Sequence, residues 1–153
     1  MAARSIIDRG GILFYLDERI ESTCFVLGDW PLSRVLLKND QSYPWFLLVP
    51  RINHIQEIYQ LDKAAQSLLM EEINQLSLLV KQHYQPDKLN VAALGNVVAQ
   101  LHVHIVARSI QDGLWPQGIW QGAQNSIPYE ECRLNSILPG LRTMIAQVFM
   151  NKV

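Results

Sequence analysis

A segment with strict alternation of polar and apolar side chains, residues 100–105, is the feature that most constrains the fold of this chain. Successive side chains of a β-strand point to opposite faces of the sheet, so this alternation predicts a strand with one buried face. The apolar positions face a core. The polar positions share the other face and are Gln100, His102 and His104. Histidine is the side chain best suited to acid, base and nucleophilic chemistry near neutral pH, so this face is a candidate site.

The first half of the chain predicts a hairpin. Arg34–Lys38 and Trp45–Val49 read as two antiparallel strands, and residues 39–42 between them are the turn formers Asn, Asp, Gln and Ser. A short helix is expected over residues 16–20. The hairpin supplies a sheet to which the alternating segment can pair.

The second half predicts a long helix, two strands and a final helix. Apolar residues recur with a helical period between Asp62 and Tyr84, with Asp62 as the N-cap. Strands are expected over 89–93 and 97–108, and a helix over Pro128–Met150 with a break at Pro139-Gly140. The predicted fold is α+β, with an antiparallel sheet and the long helix packed on it.

Length and composition bound the organisation and the partners. The chain has 153 residues, of which 49% are hydrophobic and 18% charged, so we expect one domain over 1–153 with its core in about 12–110 and a C-terminal tail with a helix over 126–150. The formal net charge of −1 lacks the basic surplus that long nucleic acids require, so we expect none as partner.

The two cysteines, Cys24 and Cys132, do not form a Cys-x-x-Cys pair, which favours a reducing compartment. Residues 1–11 lack the apolar core of a signal peptide, and no stretch has the length needed to span a membrane. We therefore expect a cytoplasmic protein without membrane association.

Two imidazoles on one strand face allow three interpretations. The histidines can be half-buried residues that only satisfy hydrogen bonds. They can be two ligands of a metal, but a typical site needs a third or fourth ligand and no acidic residue follows before Asp112, so we expect no metal. They can also serve phosphoryl or nucleotidyl transfer, with an unprotonated imidazole nitrogen as nucleophile and the other ring nitrogen donating its proton to a backbone carbonyl.

Residues 89–106 resemble the signature of the histidine triad superfamily, in which His-φ-His-φ-His-φ-φ (φ apolar) follows a Gly-containing phosphate-binding turn. The turn is Gly95-Asn96 in this chain. Residues 34–39 and 45–51, followed by His54, are similar to the family's hairpin and its closing Ile/Val-Pro-Lys-x-His. The resemblance covers about residues 30–110, and it implies the α+β fold already predicted.

Residues 29–32 and 43–45 are further similar to a bacterial branch of diadenosine-polyphosphate-hydrolase-like proteins. The resemblance implies a nucleotide hydrolase or nucleotidyl transferase without a cofactor, acting on nucleoside 5′-phosphate derivatives such as dinucleoside polyphosphates or phosphoramidates. A homodimer is implied in the same way. The alternative from another class is a non-catalytic nucleotide-binding module with a degenerate triad.

The resemblance also assigns roles by position. His102 would be the nucleophile that attacks the α-phosphorus, and His104 would contact the phosphate or bridging oxygen. Gln100 stands where the family has its first histidine, and its backbone carbonyl can still orient His102. For substrate binding, the resemblance implies that Asn39 would bind ribose hydroxyls and that Asn96, in the turn with Gly95, would contact phosphate. His54, also counted with the substrate-binding residues, matches a histidine that supports the triad from the neighbouring strand in some members.

Other side chains near the motif have two interpretations each. Trp115 and Trp120 can form a wall of a base or leaving-group pocket, or can pack a subunit or tail contact. Arg108 can bind a phosphate or lie on the surface. His54 can support the triad from a neighbouring strand or simply precede a helix.

Overall fold

The computed structural model describes residue 11, residues 13–121 and residues 125–150. The prediction that no signal peptide is present concerns a segment of which residues 1–10 lie outside this part of the chain. The helices and strands follow one another as α1 (Glu18–Glu21), β1 (Cys24–Asp29), β2 (Ser33–Lys38), β3 (Trp45–Pro50), a 3-10 turn (Ile58–Gln60), α2 (Lys63–Tyr84), β4 (Lys88–Ala92), β5 (Val103–Arg108) and α3 (Glu131–Met150). The predicted α+β fold is confirmed.

The sheet has five antiparallel strands in the order β1-β2-β3-β5-β4. The predicted hairpin is β2–β3, with Leu36 opposite Leu47, and Leu47 lies opposite His104 of β5. Strand β1 was not predicted. It is an edge strand whose register shifts between Val26 and Gly28, so its residues do not show the alternation that indicates a strand.

Both long helices pack on one face of this sheet. Helix α2 lies against β5 and β3, and α3 lies against β1. The α2 prediction is confirmed, including its N-cap, because the Asp62 carboxylate accepts a hydrogen bond from Ala65 N at 2.7 Å. The alternating strand positions Val103 and Ile105 are buried in the same core, as predicted.

The C-terminal helix differs from its prediction in three ways. It begins at Glu131 and not at Pro128, and it continues through Pro139 without a break. Leu138, Leu141 and Ile145 of α3 belong to the main core. The core therefore extends beyond residues 12–110, and burial of these leucines on both sides of Pro139 explains why the helix continues despite the missing backbone donor.

The predicted strand over 97–108 is shorter in the structure and starts at Val103. Two hydrogen bonds to other partners replace the sheet ladder before this point. Leu101 N donates to Ile55 O at 2.9 Å, and the Gln100 carbonyl is 2.7 Å from His102 Nδ1. His102 thus lies just before β5, and His104 lies within it.

Two further predictions can be compared with the fold. Cys24 and Cys132 are free thiols. Among the described residues, no helix has the length and hydropathy needed to cross a lipid bilayer.

Candidate active site

A cleft of about 550 Å³ lies on the face of the sheet opposite to α2 and α3. One wall is formed by α1 and the turn after it, and the floor by side chains of β1, β2 and β3. The loop over residues 94–98 and three rings close the remaining side, namely those of His102, His104 and Trp120. The two histidines selected from the sequence therefore share one concave site of a size suited to a small molecule.

His102 is oriented by the backbone. Its Nδ1 is 2.7 Å from the carbonyl oxygen of Gln100, which can only accept a hydrogen bond. Nδ1 must therefore carry the proton in this contact. In the neutral ring the opposite nitrogen, Nε2, then has a free electron pair, which is the state that a nucleophilic imidazole needs.

His104 has the opposite tautomer. The indole nitrogen of Trp45 can only donate, and it lies 2.9 Å from His104 Nδ1. Nδ1 of His104 is therefore the acceptor, and its Nε2 carries the proton. The two imidazole rings are 4.7 Å apart between centroids and meet edge to face, so both rings belong to the same site.

Burial keeps His104 neutral. Desolvation is the main cause that lowers its pKa to about 3, and electrostatic interactions with His102 and Lys38 act in the same direction. The residue as a whole is 7% exposed. At neutral pH His104 can therefore offer an N–H group to a phosphate oxygen without carrying a charge of its own.

The side chain of Gln100 points away from the cleft. Its Oε1 accepts a hydrogen bond from Asp17 N at 2.9 Å, and its Nε2 donates to Tyr15 O at 2.8 Å. Beside it, Arg19 donates to Val97 O at 2.7 Å. These bonds fasten the loop before β5 to the segment that leads into α1, which forms the opposite wall of the cleft.

The other predicted site residues fall into two groups. Gly95 and Asn96 line the cleft, and Gly95 has φ +76°, a conformation that favours glycine. Asn39 and His54 do not line it. The Asn39 side chain accepts a hydrogen bond from Tyr129 N at 2.9 Å, and the exposed His54 borders a neighbouring cleft together with Gln100. The substrate-binding roles of all four residues stay predictions.

Several cleft residues were missed by sequence reasoning. Trp45 forms the hydrogen bond to His104, and Lys38 lies opposite Cys24 in the sheet and donates to Thr23 Oγ1 at 2.8 Å. Strand alternation could have placed Lys38 on the same face as Leu36, but the pairing register that brings it near the histidines is not visible in the sequence.

Neither prediction for Arg108, a phosphate-binding residue or a surface residue, is met, because Arg108 neither borders the cleft nor lies on the surface. Its guanidinium is buried and forms two bonds to the Asp112 carboxylate, at 2.7 and 2.8 Å. Trp120 does line the cleft, with its ring 5.5 Å from that of His104. Among the described residues, no group of three His, Cys, Asp or Glu side chains is arranged to hold a metal ion.

An antiparallel sheet with one histidine at the end of a loop and a second on the adjoining inner strand, β5, defines a known class of α+β protein. The HIT domain model matches residues 19–110. This chain therefore belongs to the HIT family. Because members of the family are generally nucleotide hydrolases or transferases and some are non-catalytic, membership supports a nucleotide-binding or nucleotide-hydrolase type of function.

Solved structures of histidine triad proteins are similar over most of the chain. One from Bradyrhizobium japonicum is 42% identical, with a TM-score of 0.81 and coverage of 86% of this chain and 98% of that one. One from Marinobacter aquaeolei VT8 is 41% identical, with a TM-score of 0.84 and coverage of 88% and 98%. One from Sinorhizobium meliloti 1021 is 35% identical, with a TM-score of 0.80 and coverage of 85% and 96%. No curated protein matches the sequence significantly.

Proposed function

We propose that this protein is a nucleotide hydrolase or nucleotidyl transferase of the diadenosine-polyphosphate-hydrolase-like branch, and that it works through a covalent nucleotidyl-His102. The substrate is a nucleoside 5′-phosphate derivative, either a dinucleoside polyphosphate or a phosphoramidate. The observation that carries this proposal is the 2.7 Å contact of His102 Nδ1 with the Gln100 carbonyl, because it leaves the electron pair of Nε2 free in a cleft.

In the first step, His102 Nε2 attacks the α-phosphorus of the substrate. The P–N bond forms as the bond from phosphorus to the leaving group breaks, and the leaving group departs with that electron pair. The Nδ1 proton stays on His102 throughout, in its hydrogen bond to the Gln100 carbonyl. His104 Nε2–H donates to a non-bridging or bridging oxygen, where charge increases in the transition state.

In the second step, water attacks the same phosphorus and the P–N bond returns its electron pair to the His102 ring. The nucleoside monophosphate leaves, and the water gives up one proton to solvent or to the departed group. An alcohol or amine in place of water makes the same step a transfer. Splitting one displacement into two gives each half a good nucleophile or leaving group.

Single-turnover incubation with an adenine-labelled donor tests the covalent step. Adenosine 5′-phosphoramidate and diadenosine tetraphosphate are mixed with excess protein and quenched in base, where a P–N bond survives. We expect label on the tryptic peptide of residues 89–108, and fragment ions that place the adenylyl group on His102 and not on His104. Because this peptide contains neither His54 nor His83, mapping also separates the motif from the other histidines.

Two results would contradict the proposal. Nucleotide binding by calorimetry, with no adduct and no turnover of either donor, would identify a non-catalytic nucleotide-binding protein. Label on a residue other than His102 would contradict the assignment of the nucleophile.

Replacing Gln100 with alanine separates its carbonyl from its side chain. We expect Gln100→Ala to form the adduct within about 10-fold of the wild-type rate, because the carbonyl that orients His102 is unchanged. The free energy of unfolding should fall by about 1–3 kcal/mol, since two hydrogen bonds to residues 15 and 17 are lost. Gln82→Ala, on an exposed position of α2, is the matched control for loss of an amide. If Gln100→Ala is fully folded and forms no adduct, the Gln100 side chain itself is needed for the reaction.

A further inference from the structure

The segment that follows β5, residues 109–121, is anchored on one buried cation. Arg108 is 1% exposed, and its Nε and Nη2 hold both carboxylate oxygens of Asp112. Its Nη1 donates to Asn90 Oδ1 and to Gln117 O, each at 2.9 Å. The guanidinium therefore connects Asp112 and Gln117 of the segment with Asn90 of strand β4.

Two aromatic rings complete the surroundings of this cation. The Tyr43 ring lies 5.6 Å and the Trp115 ring 5.9 Å from the Arg108 guanidinium carbon, within the range of cation–π attraction. Arginine suits such a site better than lysine, because its planar fork binds a carboxylate at two points and stacks on rings at once. The segment thus has a defined shape although it contains no helix or strand.

Trp120, near the end of the segment, is placed against the catalytic candidates. Its ring is 5.5 Å from the His104 ring and meets the Trp45 ring edge-on at 6.4 Å. Two indoles therefore lie against His104, and one of them also donates its N–H to Nδ1. The Trp120 indole nitrogen is buried and has no hydrogen-bond partner within the described part of the chain, so packing and not a hydrogen bond holds this ring there.

We infer that Trp120 is a positioning residue that shields His104 from water and fixes its ring, and that the Arg108–Asp112 pair holds Trp120 in place. The shielded His104 presents a neutral Nε2–H to the substrate phosphate, so the effect on turnover rests on the proposed function. The effect of Trp120 on the pKa and orientation of the His104 ring is independent of the proposed function. The charged or titratable groups that share the cleft with His104 are Arg19 of α1, Cys24 of β1, Lys38 of β2 and His102.

Shielding by the Trp120 ring determines how far water can reach His104. Because desolvation is the largest cause that lowers the pKa of His104, removal of the ring that covers it should let water in and raise that pKa towards its usual value. Phenylalanine can replace the packing of Trp120, since no described residue accepts a hydrogen bond from the indole nitrogen.

NMR titration of the imidazole carbons tests this inference without reference to activity. In Trp120→Ala, we expect the His104 midpoint to rise by at least about one pH unit, and in Trp120→Phe to stay near that of the wild type. Arg108→Lys should shift it in the same direction as Trp120→Ala. Tyr59→Ala removes an exposed aromatic ring that does not line the cleft and is the control. Unchanged His104 titration in folded Trp120→Ala would overturn the inference.

Kinetics supply the second measurement. We expect Trp120→Ala to lower kcat about 10- to 100-fold with a change in KM below about three-fold, and Trp120→Phe to restore kcat to within about three-fold of the wild type. An effect on KM alone would show that Trp120 only binds substrate, against this inference. If the wild type shows no turnover, the proposed function fails, whereas the titration still decides whether Trp120 shields His104.

Discussion

His102→Asn is expected to lower kcat by about 10⁴-fold or more and to abolish the nucleotidyl adduct. Asparagine can still donate its side-chain N–H to the Gln100 carbonyl, which His102 Nδ1 contacts at 2.7 Å, so the local fold is preserved. It has no nitrogen with a free electron pair, and the covalent route is lost. The residual rate then reflects only what the remaining cleft contributes by binding and by the His104 N–H.

Steady-state turnover of adenosine 5′-phosphoramidate and of diadenosine tetraphosphate measures this loss. Nucleotide affinity should change much less than kcat, because the substitution removes a bond that is made only during the reaction. His83→Asn, at an exposed position in the last turn of α2, is the matched control. Retention of more than about one-hundredth of the wild-type kcat by His102→Asn would contradict a covalent mechanism through this residue.

The parts of the fold that were predictable are those in which a local pattern and tertiary burial agree. Val103 and Ile105 enter the core as their alternation indicates, and Asp62 caps α2 as its position before a periodic apolar run indicates. In each case the signal lies within a short stretch of chain. No information about other elements was needed.

The elements that were missed depend on partners far away in the sequence. Strand β1 has an irregular register, and it is defined by its pairing with β2 and by α3. Helix α3 continues through Pro139 because Leu138 and Leu141 are buried in a core built by other elements. Local propensity predicted a break there, and tertiary packing overrode it.

The candidate site shows the same division. The motif selected His102 and His104, and the contact expected between the Gln100 carbonyl and His102 is observed. The tautomer of His104 could not be predicted, because it is set by Trp45 on a strand 59 positions away. The role of Arg108 was missed for a different reason: its partner Asp112 is only four residues away, but its other contacts, with Asn90 of β4 and the Tyr43 ring, come from distant parts of the chain.

The stability of the protein should depend on pH through His104. Its pKa is about 3 in the folded protein against 6.5 for the free side chain. At pH values between about 3 and 6.5, His104 is protonated in the unfolded chain and unprotonated in the folded protein. Lowering the pH below 6.5 therefore favours the unfolded state, and the free energy of unfolding falls by about 1.4 kcal/mol per pH unit from this group alone.

Comparison with His104→Asn isolates this contribution from that of the carboxylates. Asparagine can still accept the hydrogen bond from Trp45 through its side-chain oxygen, but it does not titrate. From pH 7.5 to 4.5, urea unfolding of the wild type should lose roughly 2–3 kcal/mol more than unfolding of the variant, and above pH 7 the difference between the two should be constant. Parallel pH profiles of the two proteins would mean that His104 takes up its proton in the folded state as readily as in the unfolded chain. The ring would then be protonated in a large share of the molecules at pH 6.5 and below, and a neutral N–H donor would no longer describe its role over that range.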